Sequence, residues 1–186
     1  MKKFTICIIM LAMSALVLIG CTSDNEIKSE VDNMFNAIKT QDLDNVDKYF
    51  PKSGLGNFIY ADKEGFKMYS KNMTWEISDI KKNKDKVIVD LKVNNTDMVS
   101  ILKKNPPKLG EMMPNPTMKD IDSANKKEFN ITLELVKSDD NYVCKVNQES
   151  TTKLLNVITG GGTDYLADYN KDYYKQLDEE QKKYEN

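Results

Sequence analysis

The hydrophobic pattern of this chain changes its period near Met73, and that change limits the folds the chain can adopt. Before Met73, apolar residues recur at every third or fourth position, which predicts helices with one buried face. After it, apolar and polar residues alternate, which predicts strands with one buried face. The apolar stripe of the first predicted helix consists of Ile27, Val31, Met34, Phe35 and Ile38.

Two more helices are predicted ahead of the strands. Asp42 is a good capping residue for a short helix, which is expected to stop at Pro51 and Gly54. A further helix is predicted over residues 63–70. The residues expected to point inward from the helix after Asp42 are Leu43, Val46, Tyr49 and Phe50.

Four alternating segments predict two hairpins. The first pairs residues 75–77 with residues 87–93 across a turn of Lys, Asn and Asp. The second pairs residues 129–135 with residues 142–146 across a turn of Ser, Asp and Asn. Because a short turn reverses the chain, both pairs are expected to be antiparallel.

Two other segments stand out. A short helix at 97–103 is followed by an insertion at 105–122 that is rich in Pro, Met and Asn. Three glycines at 160–162 precede a tail whose pattern predicts an amphipathic helix. An exposed tyrosine stripe on that helix would suit a protein interface. The stripe consists of Tyr165, Leu166, Tyr169, Tyr173 and Leu177.

This order of elements predicts an α+β fold, with N-terminal helices packed on a curved antiparallel sheet and a C-terminal amphipathic helix. We expect a leader at 1–20, a tether at 21–26, one α+β domain at 27–162 and a helical tail at 163–186. Without the leader, 186 − 20 = 166 residues remain, a usual size for one domain.

The first twenty residues predict a signal sequence, because two lysines precede an apolar run. A helix of that run would span about 24 Å, slightly less than a bilayer core of about 30 Å, so its length leaves an uncleaved anchor open. The run ends in Leu18-Ile19-Gly20-Cys21, which resembles the lipobox of bacterial lipoproteins. This resemblance implies cleavage after Gly20 and a diacylglyceryl group, with its palmitate-like acyl chains, on Cys21. Two acyl chains would hold the protein stably on the extracytoplasmic face of the cell membrane.

The charged residues argue against nucleic acid as a partner. All 27 basic residues are lysine, so the bidentate guanidinium clamp for phosphate is missing, and the chain contains no histidine. After removal of Lys2 and Lys3, 25 lysines face 29 acids, a formal charge of −4. A net negative domain lacks the electrostatic attraction on which nucleic-acid binding depends.

The cysteines exclude a disulfide within the mature chain. Cys7 lies in the leader and Cys21 is the expected lipid site, so Cys144 is left alone. Cys144 could be a nucleophile, but in an alternating strand it is more often a small buried residue. No histidine is present to activate it.

Residues 31–44 read VDNMFNAIKTQDLD and resemble the opening of nuclear-transport-factor-2-like (cystatin-like) domains, which many bacterial lipoproteins of unknown function contain. Residues 93–97 resemble the strand end that leads into a helix in those proteins. Residues 142–146 and 154–161 resemble their last strand and exit. The resemblance covers residues 26–162 and implies that the sheet and a long helix enclose a cone-shaped pocket.

Relatives with this fold include isomerases and dehydratases with an acid-base pair in the cone, and many that only bind ligands or partners. No catalytic residue can be carried over, because the chain lacks histidine and no Asp-Tyr pair matches by motif. We therefore expect a non-catalytic module that binds a small apolar ligand or an envelope protein. A pocket enzyme of the isomerase or dehydratase type and a structural spacer in an envelope complex are the alternatives.

Tyr60, Tyr69 and Trp75 are the candidate pocket residues, since each offers a large apolar face and a polar group. No metal or cofactor is expected. The methionines could bind Cu(I), but such residues more often fill irregular loops. The run from Asp120 to Asn125 begins like a calcium loop but lacks its glycine and final acid, which favours a polar turn or a helix cap. The triple glycine follows a short helix-like run and does not lie between a strand and a helix, which favours a hinge over a phosphate site. The methionines in question are Met98, Met112, Met113 and Met118.

Overall fold

A computed structural model of the chain describes residues 23–84, 86–106, 116–139 and 141–184, with side chains up to residue 175. The predicted helices and strands occur in the predicted order, with further helices between them. The elements are α1 (Asp24–Thr40), α2 (Leu43–Tyr49), α3 (Leu55–Ala61), α4 (Lys63–Ser70), β1 (Thr74–Asn83), β2 (Lys86–Thr96), α5 (Met98–Lys104), α6 (Met118–Ser123), β3 (Lys126–Ser138), β4 (Asn141–Cys144), α7 (Gln148–Ile158) and α8 (Gly162–Tyr184).

The four strands form one antiparallel sheet in the order β1-β2-β3-β4, so the predicted α+β class is confirmed. Both hairpins pair as expected, with Trp75 opposite Val93 in the first and Leu135 opposite Cys144 in the second. A bulge between Ile77 and Asp79 interrupts the pairing of β1 with β2. Bulges bend a strand and increase its twist.

Helix α1 packs its apolar stripe onto one face of the sheet. Ser23 caps its first turn, and the left-handed backbone of Gln41, with φ of 59°, ends it. The Phe35 ring lies 5.2 Å from the Trp75 ring on β1. All five residues of the predicted stripe are buried. The core therefore lies between two layers. One layer is α1 together with the helices that follow it, and the other is the odd-numbered residues of β2 and β3.

The structure differs from the predicted boundaries at several places. Helix α1 begins inside the predicted tether, because Ser23 supplies a cap that the pattern of apolar residues did not reveal. Helix α3 was not predicted, and it follows Gly54, whose φ of 72° is left-handed. Helix α6 occupies the end of the predicted insertion, where Thr117 and Asp120 form a capping box. Residues 107–115 of the insertion lie outside the described residues.

Within the described ranges, no helix is both long and apolar enough to cross a bilayer.

Candidate functional site

The expected lipid site cannot be located, because Gly20 and Cys21 precede the first described residue.

The three aromatic residues proposed for a pocket lie in different surroundings. Tyr60 is 74% exposed, whereas Tyr69 is fully buried in a small cluster with Met98 and Ile121. Trp75 is half-buried, and its indole N–H donates to Asp32 Oδ1 at 2.7 Å. None of the three lines the groove described next.

A groove of about 500 Å³ runs between strand β3 and helix α7, a volume in the range of small-molecule pockets. One wall is the edge of β3, the other is α7, and the end of β4 closes one end. Apolar side chains and charged side chains both face the groove. Its lining includes Asn130, Ile131, Thr132, Leu133, Glu134, Cys144, Lys145, Val146, Asn147, Glu149, Ser150, Lys153, Leu154, Asn156 and Val157.

The groove exists because the two strands of the second hairpin differ in length. Strand β3 has 13 residues and β4 has 4, and the two pair only between Leu135 and Ser138 of β3. One more backbone bond follows, from Lys145 N–H to the Glu134 carbonyl oxygen at 2.7 Å. Beyond it, no strand of the described residues pairs with that side of β3. Residues 126–133 therefore form an open strand edge.

Helix α7 is held beside this edge at both of its ends. At the start, Asn147 and Ser150 form a capping box. At the end, the buried Asn95 of β2 donates to the carbonyl oxygens of Val157 at 3.0 Å and Ile158 at 2.8 Å. These bonds satisfy carbonyls that a helix end leaves without partners, and they set the distance between α7 and the sheet.

The turn after α7 also depends on a close contact. Gly160 has a φ of 59°, and a Cβ atom there would overlap the carbonyl oxygen of Thr96. Its own carbonyl accepts the Met98 N–H at 3.1 Å. The glycines thus serve helix–strand packing, and they follow an α7 that is longer than the short helical run expected from the sequence.

The charged groups in the groove are engaged with one another. Glu134 accepts from Lys86 at 2.9 Å and from Lys145 at 3.1 Å, and these two hydrogen bonds lower the pKa of its carboxyl group. On α7, Lys153 donates to Glu149 at 2.7 Å and lowers the pKa of that carboxyl group as well. Both acids are therefore ionised and paired near neutral pH.

Cys144 lies at the floor of the groove but is only 2% exposed. Burial, with a smaller contribution from the charge of Glu134, raises the pKa of its thiol to about 12. A thiolate is the reactive form of cysteine, so this thiol is inert under physiological conditions. Cys144 is thus the small buried strand residue that the sequence predicted.

The other sequence patterns form no site within the described ranges. Met98 is buried and Met118 is 44% exposed, whereas Met112 and Met113 lie outside those ranges. Asp120 is the third residue of α6 and forms its capping box with Thr117, which agrees with the helix-cap alternative. No group of three or more Cys, Asp or Glu side chains among the described residues is arranged to hold a metal ion.

Sequence reasoning missed the groove, although one signal was present. The alternating pattern of the third strand is longer than that of the fourth, and a long strand beside a short one must leave an edge unpaired. What the pattern could not supply was the position of α7, which depends on the hydrogen bonds of Asn95.

Comparison with known proteins adds little. No model of a known protein family matches the sequence. No curated protein sequence matches it either. One solved structure that resembles the chain is AclR, a candidate hydroxylase from Streptomyces galilaeus, with 18% identity and a TM-score of 0.39 over 75% of this chain and 87% of that one. A likeness of this degree supports no conclusion about function.

Proposed function

We propose that this protein is a lipid-anchored, extracytoplasmic binding module that uses the groove between β3 and α7 and catalyses no reaction. The observation that carries the proposal is the groove itself. It combines an open strand edge, an apolar floor and polar groups at its rim, which is the composition of a binding site.

The electrostatics of the groove favour binding over acid-base catalysis. An isomerase or dehydratase needs a carboxyl group whose pKa is raised toward neutrality. The two acids of the groove, Glu134 and Glu149, have lowered pKa values because lysines donate hydrogen bonds to them. Elsewhere in the described residues, each resolved shift of an Asp or Glu is also downward. The pocket enzyme is therefore the less favoured alternative.

The cystatin-like cone remains part of the proposal. It is supported by the packing of the long helix α1 across the sheet and by the bulge in β1, which bends the sheet. The lipid anchor is supported by the leader and the cysteine that follows Gly20. Because α1 starts at Asp24, a tether from Cys21 would hold the domain within about 10 Å of the anchor point.

The anchor is tested by growing a bacterial host with a palmitate analogue that can be labelled. We expect the wild-type protein to be labelled and to partition with membranes, and the Cys21→Ser variant to be unlabelled. An unlabelled wild-type protein that retains its leader would contradict the anchor.

The binding site is tested by placing a photo-crosslinking amino acid at Thr132, in the groove, or at Lys119, on α6 away from it. Irradiation of intact cells should give an adduct at position 132 and none at position 119. Filling the groove by Lys153→Trp should remove the adduct. The absence of any adduct at position 132, small or large, would contradict the proposed function.

A further inference from the structure

We propose that the groove takes an extended peptide segment of another protein, which adds to the open edge of β3 as an antiparallel strand. This inference rests on the proposed function and names the class of partner.

The backbone of β3 presents alternate residues to the open edge. In an antiparallel ladder, one residue directs both its N–H and its C=O to the same neighbouring strand, and the next residue directs them to the other. The Glu134 carbonyl accepts from Lys145 on the β4 side. The backbone groups of Glu128, Asn130 and Thr132 must therefore point to that side too, where β4 has already ended.

Such a row of groups specifies an extended peptide. The open stretch, residues 126–133, is about 27 Å long at 3.4 Å per residue, and donors and acceptors recur along it at every second residue. Only the backbone of another strand repeats with that spacing. A helix has its backbone groups bonded internally, and a compact small molecule covers only part of the row.

The side chains around the edge determine which strand fits. On the core side, Ile131, Leu154 and Val157 form an apolar surface. On the outer side, Thr132 and Asn130 are exposed and uncharged. A strand in this position would direct alternate side chains to these two sides. The segment that fits has apolar residues at every second position and polar residues between them.

The charge of the groove points to an uncharged segment. Its two acids and two lysines balance, and each acid is bound to a lysine: Glu134 to Lys145 and Glu149 to Lys153. A charged side chain would have to break one of these pairs or lie close to the like charge.

A second copy of the chain fits the edge less well. Two β3 edges that pair about Asn130 would bring Lys126 of one copy opposite Glu134 of the other, since 126 + 134 = 2 × 130. The position opposite Glu134 is already occupied by Lys145, whose N–H donates to the Glu134 carbonyl. Two such positions would be contested in a symmetric dimer centred on Asn130, the register that uses the groove of both copies.

Amide hydrogen exchange tests the proposal, because an added strand should protect every second backbone amide along the open edge of β3. The protein is the chain from Cys21 onward, and the probe is a set of uncharged hexapeptides in which Val or Ile alternates with Thr. Block-ordered peptides of the same composition are the control. In the free protein, the amides of Glu128, Asn130 and Thr132 should exchange rapidly. The alternating peptides should slow these three by about tenfold or more and leave Phe129 and Ile131, already bonded to β2, unchanged.

A matched pair of variants separates backbone from side chain. Asn130→Pro removes an N–H that faces the open edge and not β2, and proline is tolerated at strand edges. Asn130→Ala removes the side chain and keeps the N–H. We expect Asn130→Pro to weaken peptide binding by about tenfold or more, and by at least about fivefold more than Asn130→Ala does. An unchanged circular dichroism spectrum and unfolding midpoint show that both variants fold.

Three results would overturn the inference. One is equal binding of alternating and block-ordered peptides, and another is unchanged exchange at the three edge amides under saturating peptide. The third is protection that rises with protein concentration alone, which would assign the edge to a second copy. If the crosslinker at Thr132 still forms an adduct in cells, the proposed function survives and only strand addition fails. If it does not, both fail.

Discussion

Replacement of Asn95 by alanine should destabilise the protein strongly, because this side chain joins strand β2 to the end of helix α7. Asn95 is 0% exposed. Its amide donates to the carbonyls of Val157 and Ile158, and its own oxygen accepts the Thr96 N–H at 2.8 Å. Alanine can replace none of these bonds.

The size of the effect follows from the groups that lose a partner. Val157 keeps a second bond, because its carbonyl also accepts the Gly160 N–H. The Ile158 carbonyl and the Thr96 N–H are left buried without the asparagine, at about 1 to 3 kcal/mol each. With a small cavity in addition, we expect a loss of about 3 to 5 kcal/mol in the free energy of unfolding.

The measurement is urea unfolding followed by the fluorescence of Trp75, the single tryptophan of the chain. Asn94→Ala is the matched control, because Asn94 is the adjacent, half-buried asparagine on the other face of β2. That variant should change the free energy of unfolding by less than about 0.5 kcal/mol. If Asn95→Ala cost no more than Asn94→Ala, Asn95 would not hold α7 in place.

Three further predictions concern other buried positions. Gly160→Ala should cost more than about 3 kcal/mol, because its Cβ meets the backbone, whereas Gly54→Ala, at a similar φ in open space, should cost about 1 kcal/mol; equal costs in urea unfolding would refute this contrast. Tyr69→Phe should be neutral or stabilising by up to about 1 kcal/mol at pH 7, because the buried hydroxyl has no hydrogen-bond partner among the described residues. Burial raises the pKa of Tyr69 to about 12 from 10.0, so the wild type should lose stability as the pH rises from 10 toward 12, and Tyr69→Phe should lose less in thermal unfolding. In a Cys21→Ser protein, the Cys144 thiol should react with a thiol reagent at pH 8 only after unfolding; rapid reaction of the folded protein would contradict its burial.

Local patterns predicted most of the secondary structure. A stripe at helical spacing and an alternating run both record which side of an element is buried, so the first helix and the strands could be recognised without knowing their neighbours. The missed helices have other causes. Helix α3 is short and begins at a left-handed glycine, and α6 begins at a capping box inside a segment that its prolines marked as a loop.

The surroundings of the predicted pocket residues could not be predicted in the same way. Tyr60 and Tyr69 are both tyrosines near one another in sequence, yet one is 74% exposed and the other fully buried. Their surroundings are formed by distant segments, such as Met98 and Ile121 beside Tyr69. Amino-acid type indicates that a side chain could line a pocket, but only packing decides where it points.

The sequence by itself determined the α+β class and the odd-numbered core face of β2 and β3, because burial of one face of an element imposes a regular spacing on its apolar residues. It also contains the apolar N-terminal run and the cysteine from which the lipid anchor is predicted. Only the tertiary structure decided that β3 extends past β4 and that α7 lies beside its open edge. That arrangement depends on bonds between residues about sixty positions apart, such as Asn95 with Val157 and Ile158, and no local period records such bonds.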